Sequence, residues 1–354
     1  MTRHANLAKF EKVGGSSQIQ LTDVSCISRG NCTAVGQTTS SRPIYIVENN
    51  GKWGIARQLV GLSVANLQSV SCVSSGDCTA VGSIGSDPSA IGDVHEPIYV
   101  SERNGVWGQL TEVGKPGAGN FSDVSCTSAG NCAAVGFIPI SFNIEQPIEA
   151  IQASGIWRPI VDLGIVGKGE LTGVSCISPG NCTAVGDSGD TTKPQATYDS
   201  ETNGKWNQVR LIEASGPASL SGVSCTSIGN CTAVGGTTAG FSAGQPIYVR
   251  RVRGRWSQIR KLSGPVGGGG FGRVSCTSIG NCTAVGLAGT FDGAIYASDI
   301  GGNWGPVREI RESNSHSMFD GVSCPSPGNC TAVGWEFDVK PFHSYGITSS
   351  SPNS

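Results

Sequence analysis

Charge is scarce in this chain. Only 14% of its 354 residues are Asp, Glu, Lys or Arg, and they sum to a formal charge of −2. That balance sets up no global field for nucleic acid or an anionic membrane. Long apolar runs are missing too. None approaches the roughly 18 residues of a transmembrane helix, so membrane insertion is not expected. The N-terminal MTRHANLAKFEKVGG has no apolar stretch and does not read as a secretory signal. Three options follow: a leader already removed, another export route, or residence inside the cell. Catalytic signatures are also lacking. There is no Gly-x-Ser-x-Gly, no His-Glu-x-x-His and no phosphate-cradling loop, and the four histidines (His4, His95, His316, His343) are scattered. No catalytic residue, metal or cofactor is expected on these grounds.

Glycine and cysteine are abundant, at 52 and 14 residues. With so little charge, that composition fits an all-β protein rich in turns. All 14 cysteines fall in one phrase that returns seven times: Val-Ser-Cys, a five-residue turn, a second Cys, then Thr-Ala-Val-Gly or nearly so. The pairs are Cys26–Cys32, Cys72–Cys78, Cys126–Cys132, Cys176–Cys182, Cys225–Cys231, Cys276–Cys282 and Cys324–Cys330. Flanking a tight turn, each pair sits opposite on paired strands, at bridging separation. Reduced buried thiols and metal ligation are the alternatives, but zinc sites want closer spacing and two converging pairs. Disulfides predict an oxidising compartment, so a secreted or cell-surface protein.

One repeat holds four strand-like runs. In the first they are LTDVSC (21–26), CTAVGQT (32–38), RPIYIVE (42–48) and KWGIARQL (52–59), with ISRGN and NNG as turns. Four antiparallel strands, a to d, make one propeller blade. The Tyr of strand c stands eight residues before the Trp of strand d in five repeats, Tyr45 and Trp53 being the first; Glu149 and Trp157 keep the spacing in the third. A Trp in every blade reads as inter-blade core. The predicted blades are 21–60, 67–113, 121–163, 171–212, 220–262, 271–310, and 319–350 completed by 7–13. Borrowing the N-terminal strand closes the ring and removes an open edge. A β-helix or open solenoid is the competing architecture. The expectation is one domain over 1–354.

The b–c connection varies. From the second Cys to the Tyr position it runs 13, 21, 17, 16, 17, 14 and 15 residues in blades 1 to 7. Alternation puts the b–c and d–a connections at one end of every blade and the disulfide turns at the other. Binding residues gather on variable loops over a rigid scaffold. The longest b–c stretch, 83–97, carries Asp87, Asp93, His95 and Glu96, a cation-ligand set without EF-hand or zinc spacing. Aromatics in the b–c stretches are Phe137, Phe142, Phe241, Phe291, Trp335 and Phe337, suited to sugar faces or peptide side chains. RRVRGRWSQIRK (250–261) brings six basic residues to the c–d turn of blade 5 and reads as a solvated outer strand. Asn31, Asn181, Asn230, Asn281 and Asn329 match the glycosylation sequon and also suit a turn. For a glycoside hydrolase, two facing carboxylates are needed. Asp23 and Asp123 hold equivalent strand-a places, against Ser69, Gly173, Gly222, Arg273 and Gly321 elsewhere.

VSCTSIGNCTAVG, followed by PIYV and a Gly-x-Trp, resembles a repeat of predicted secreted bacterial proteins, many from actinobacteria. The resemblance covers 21–350 and implies a propeller without a settled activity. The architecture is similar to that of seven-bladed bacterial lectins, although their sugar-binding motifs are missing. Sialidase-like enzymes match less well, since their Ser-x-Asp-x-Gly-x-Thr-Trp turn is not reproduced. The expected function is non-catalytic recognition of a glycan through the variable face. A protein-binding adhesin or effector scaffold, and a glycosidase with acids at the channel mouth, are the alternatives. The expected partner is a glycan or protein on a cell surface and not nucleic acid; oligomeric state is not legible.

Overall fold

The computed structural model describes every residue except 1–6, 8–9, 16–17, 62–63, 86–95, 115–118, 142–143, 165–168, 191–192, 239–243, 264–267, 290–292, 311–314, 339–342 and 351–354. Seven antiparallel sheets form a ring of blades, with no helix among the described residues. Strands a, nearest the axis, are Ile19–Ser28, Ala65–Ser74, Asn120–Ser128, Gly169–Ser178, Ser219–Ser227, Gly269–Ser278 and Ser315–Ser326. Strands b are Asn31–Thr38, Asp77–Ile84, Asn131–Ser141, Asn181–Asp190, Asn230–Gly236, Asn281–Ala288 and Asn329–Asp338. Strands c are Pro43–Asn49, Pro97–Arg103, Ile144–Ala153, Lys193–Thr202, Pro246–Val252, Ala294–Ile300 and His343–Ser350. Strand d is split. In blade 1 it is Lys52–Trp53 and Arg57–Gln58, both paired with strand c.

The chain ends meet as the sequence predicts. Glu11–Val13 lies antiparallel to strand c of blade 7, Val13 opposite Gly346. The strand is shorter than 7–13. Leu7 and Phe10 contribute side chains instead, packing with Phe319, and Phe10 meets that ring edge-on at 5.5 Å. One count from the sequence shifts. Val333 pairs with Thr348, as Val35 pairs with Tyr45, so the blade-7 equivalent of the Tyr is Thr348 and not Tyr345. Tyr345 pairs with Glu336 farther along. The blade-7 connection is therefore three residues longer than counted.

The repeated phrase is legible as structure. All seven Cys pairs are bridged, at S–S distances of 2.02–2.07 Å, and no cysteine is free. The Ser between Val and Cys stitches blade to blade. Ser25 Oγ accepts the Cys72 amide at 3.0 Å, the pattern repeats around the ring, and Ser323 Oγ accepts the Cys26 amide at 2.9 Å to close it. The Asn after the turn glycine ties turn to turn. Asn31 donates from Nδ2 to Ser28 Oγ and accepts the Asn50 amide at Oδ1. That contact recurs in blades 2 to 6, with Asp77 in blade 2, and gives the Asn of the triplets a structural place in the turn. The glycine of Thr-Ala-Val-Gly is steric. A Cβ on Gly286 would stand 2.1 Å from the Gly270 carbonyl oxygen. Strand a bulges just beyond, between Phe271 and Arg273, and the same register shift occurs in every blade.

Blade interfaces hold the core. Four strand-c Tyr residues pack on the Trp of the next blade: Tyr45 on Trp107 at 5.4 Å, Tyr99 on Trp157, Tyr198 on Trp256 and Tyr248 on Trp304. Tyr296 joins the core cluster of Phe319 instead. The Trp echo is inter-blade core, as predicted. The basic stretch departs from its solvated reading at two of its six basic residues, Arg253, Arg255, Arg260 and Lys261 being exposed. Arg250 reaches blade 6 to pair with Asp299, and Arg251 reaches blade 4 to donate to Ser200 Oγ at 2.8 Å and Thr183 Oγ1 at 3.1 Å.

Candidate functional site

The strand-a bulges bring seven residues to the axis at one level: Asp23, Ser69, Asp123, Gly173, Gly222, Arg273 and Gly321. Neighbouring strands approach so closely here that a Cβ on Gly321 would lie 2.7 Å from Asp23 Cα. Glycine is what that spacing admits. Asp23 accepts the amides of Val24 and, across the interface, Val70. Asp123 likewise accepts the Val174 amide at 2.7 Å. Ser69 Oγ stands 2.8 Å from Asp23 Oδ2 and 2.6 Å from Asp123 Oδ1. A hydroxyl has one proton to donate, so it serves one carboxylate at a time. The arrangement is relieved if the other carboxyl carries a proton. Burial pushes Asp23 up to about 6; the Arg273 charge opposes this and Asp123 adds to it.

Arg273 spans the floor. Its Nη1 donates to the carbonyls of Thr172 at 3.3 Å and Ser221 at 3.2 Å, and Nη2 donates to that of Ser122 at 3.1 Å. Asp123 lies 3.9 Å away. The buried Nε–H has no acceptor among the described residues. Above this floor opens a funnel of about 500 Å³. All seven blades line it, each through the bulge residue of strand a, and blades 1, 4, 5 and 7 also through the strand-b residue just before that bulge. Blade 1 supplies Gln20 and Gln37, which pair across strands, and blade 2 supplies Gln68. Blade 4 supplies the pair Glu170 and Asp187, and blade 7 supplies Met318, Trp335 and Asp320. Burial raises the Glu170 carboxyl, and the Asp187 charge raises it further; Asp187 is raised by burial while the Ser219 hydroxyl opposes. Asp320 is pushed up to about 7, by burial first, with Arg273 opposing. Such a wall offers amide, hydroxyl and carboxyl groups beside one indole, with a guanidinium at the base.

Of the aromatics and acids named from sequence, Trp335 lines this funnel. Phe137 occupies the equivalent strand-b place in blade 3, opposite Asn120, outside the lining. Phe337 pairs with His316. All three sit in strand b, which runs on past the repeated phrase, and not in a loop. Glu96 stands apart from the funnel, where Glu112 is its charged neighbour. Asp87, Asp93, His95, Phe142, Phe241 and Phe291 lie outside the described residues. Gln20, Gln37, Glu170, Asp187, Met318 and Asp320 escaped the sequence reading. A signal existed: the residue after Thr-Ala-Val-Gly is Gln37, Ser83, Phe137, Asp187, Gly236, Leu287 or Trp335, the first place where the phrase stops repeating.

The molecule is a seven-bladed β-propeller with one disulfide per blade. No protein-family model matches the sequence, and no curated protein is similar to it at a significant level. Solved structures share the fold. One is YCF48 bound to D1 peptide, with a TM-score of 0.58 at 16% identity over 100% of both chains. A polysaccharide lyase, the PL25 ulvan lyase bound to a GlcA–Rha3S saccharide, also reaches 0.58, at 11% identity over 95% of both. The Trypanosoma rangeli sialidase reaches 0.54 at 11% identity, over 85% of this chain and 56% of that one. At such identities the likeness is one of fold.

Proposed function

We propose that this propeller is a secreted, non-catalytic binding module that takes a glycan into the axial funnel, one ligand per molecule. The carrying observation is the asymmetry of the funnel. The seven blades bring different sets of residues there, so the cavity is a single site and not a set of seven equal ones. Amides at Gln20, Gln37 and Gln68 and carboxyls at Glu170 and Asp187 suit sugar hydroxyls, and Trp335 offers an apolar face for a ring. The ulvan lyase and the sialidase that share the fold are proteins of saccharide chemistry. The b–c residues Asp87, Asp93, His95, Phe142, Phe241 and Phe291 are proposed as rim contacts, through their place in the variable connections. Seven bridges fit an oxidising compartment, and no helix among the described residues is long and apolar enough to cross a membrane.

Titration calorimetry against a glycan panel tests this reading. Binding at a stoichiometry near one, weakened at least about tenfold by Trp335→Ala and by Glu170→Gln, is the expected result. No heat from any glycan at millimolar concentration overturns it. A second reading, hydrolysis, rests on one observation: Asp320 lines the funnel together with Arg273, where burial pushes its carboxyl up to about 7. A bound glycan released unchanged after prolonged incubation excludes that reading, and cleavage abolished by Asp320→Asn establishes it.

A further inference from the structure

The face opposite the funnel, pinned by the disulfides, holds a second kind of recess. Between blades 1 and 2 lies a groove of about 290 Å³, and between blades 3 and 4 one of about 250 Å³. Each is lined by a strand-c carboxylate of its second blade: Glu102 in the first, Glu201 in the other. Both residues are deeply buried, at 5% and 4% exposure. Glu102 Oε2 and Glu201 Oε1 accept no hydrogen bond among the described residues. Each acid pairs across strands with the Trp of strand d, Trp107 or Trp206, and the Trp107 indole N–H has no acceptor among the described residues. Arg57 and Arg158 also line these grooves, both exposed, and neither comes within 4.0 Å of the acid as an ion pair. A carboxylate taken from water without a partner is costly, and a cation relieves that cost.

The chain displays the filled state itself. Between blades 5 and 6 the same acid position is Asp299, opposite Trp304. There Arg250 enters from strand c of blade 5, pairs with Asp299, and donates from Nη2 to the Gly302 carbonyl at 2.9 Å. Arg250 stands opposite Thr232, as Val47 stands opposite Thr33 and Ile151 opposite Ala133. Val47 and Ile151 line the two open grooves and are too short and apolar to reach the acid. Gly105 and Gly204, which line them too, hold the turn place of Gly302: their amides bond to Gly76 and Gly180 as the Gly302 amide bonds to Gly280. Both acceptors used by Arg250 thus recur where no arginine of the chain closes an ion pair with the acid.

We infer that the 1–2 and 3–4 grooves are docking sites for arginine side chains of a basic protein segment, held as Arg250 is held between blades 5 and 6. The partner is a polypeptide because a guanidinium on a flexible stem is what the chain itself inserts, and its planar fork suits a carboxylate beside a carbonyl. The site is independent of the funnel, so its failure leaves the glycan reading untouched.

Fluorescence anisotropy with a labelled Gly-Arg-Gly-Arg-Gly peptide, at near-physiological salt, tests it. The same peptide with citrulline keeps the shape and loses the charge. Expected are binding of the arginine peptide, a loss of at least about tenfold with citrulline, and a similar loss in the Glu102→Gln/Glu201→Gln protein, with Trp335→Ala unchanged. Arg250→Ala opens a third groove and is expected to add one binding equivalent. Equal binding of the citrulline peptide, unchanged affinity in the double variant, or no binding at all overturns the proposal. A thermal melt of the double variant matching the parent shows that a lost signal is not lost fold.

Discussion

The two faces of the ring are built from the same strands and differ in what repetition does to them. On the disulfide face, seven bridges, seven Ser-to-amide stitches and the Asn or Asp turn ties recur almost without change. On the funnel face, the strands emerge from identical glycines into Gln, Ser, Phe, Asp, Gly, Leu or Trp. Repetition therefore marks where backbone must meet backbone, and its loss marks where side chains meet something else. Yet the constant face is not inert. At one strand-c position it too departs from the repeat: Val47, Ser101, Ile151, Ser200, Arg250 and Ser298 are equivalents.

Reduction is the harshest way to break the comparison. Each bridge closes a loop between residues six apart, contributing about 2 kcal/mol in the chain-entropy model. Seven together reach the roughly 5–15 kcal/mol of a whole fold. The reduced protein is expected to lose cooperative melting at ambient temperature. A melt within a few degrees of the oxidised protein would show that the constant face stands on its hydrogen bonds alone.

Next comes pH, which acts on the axial side. Asp23 is raised from 3.8 to about 6 and Asp320 to about 7; burial leads in both. These are acids whose folded form holds a proton that the unfolded chain has released. Stability from them is therefore full below pH 4 and falls as pH rises between about 4 and 7. At about 1.4 kcal/mol per unit, Asp23 alone is worth on the order of 3 kcal/mol. Tm is expected to rise on acidification from pH 8 to pH 5, the reverse of ordinary acid destabilisation. Asp23→Asn should flatten the profile; a parent Tm that falls steadily over that range contradicts the protonated axial belt.

Much of this architecture is legible in sequence because the cause repeats. Seven Cys-x5-Cys pairs, a Trp eight residues after the Tyr of five repeats, and a truncated last repeat suffice for seven blades and a shared closing strand. The funnel is harder to read because its chemistry comes from single residues, such as Glu170 and Asp320, that no local pattern distinguishes from solvated polar residues. Arg250 looked like one basic residue of six. Only the register shows that it replaces Val47 and crosses to Asp299. The blade-7 miscount has the same origin: Tyr345 has the right chemistry at the wrong register, and register is a property of pairing.

Glycines separate the two faces most finely. Gly286, at the funnel end of strand b, would place a Cβ 2.1 Å from the Gly270 carbonyl, with a negative φ that any residue adopts. Gly51, in the c–d turn, has nothing within 4 Å of a Cβ but a φ of +78°. One glycine answers to space and the other to backbone conformation. Gly286→Ala is expected to cost about 3 kcal/mol, because rigid backbone must yield. Gly51→Ala should cost about 1 kcal/mol, the strain of a left-handed residue. Asparagine then discriminates the causes. It tolerates positive φ, as Asn50 does at +50° beside Gly51, so Gly51→Asn should melt near the parent. Gly286→Asn adds bulk where none fits and should be at least as damaging as alanine. Chemical denaturation of the four variants gives the order; equal losses for Gly51→Asn and Gly286→Asn would mean that one constraint, and not two, governs both faces.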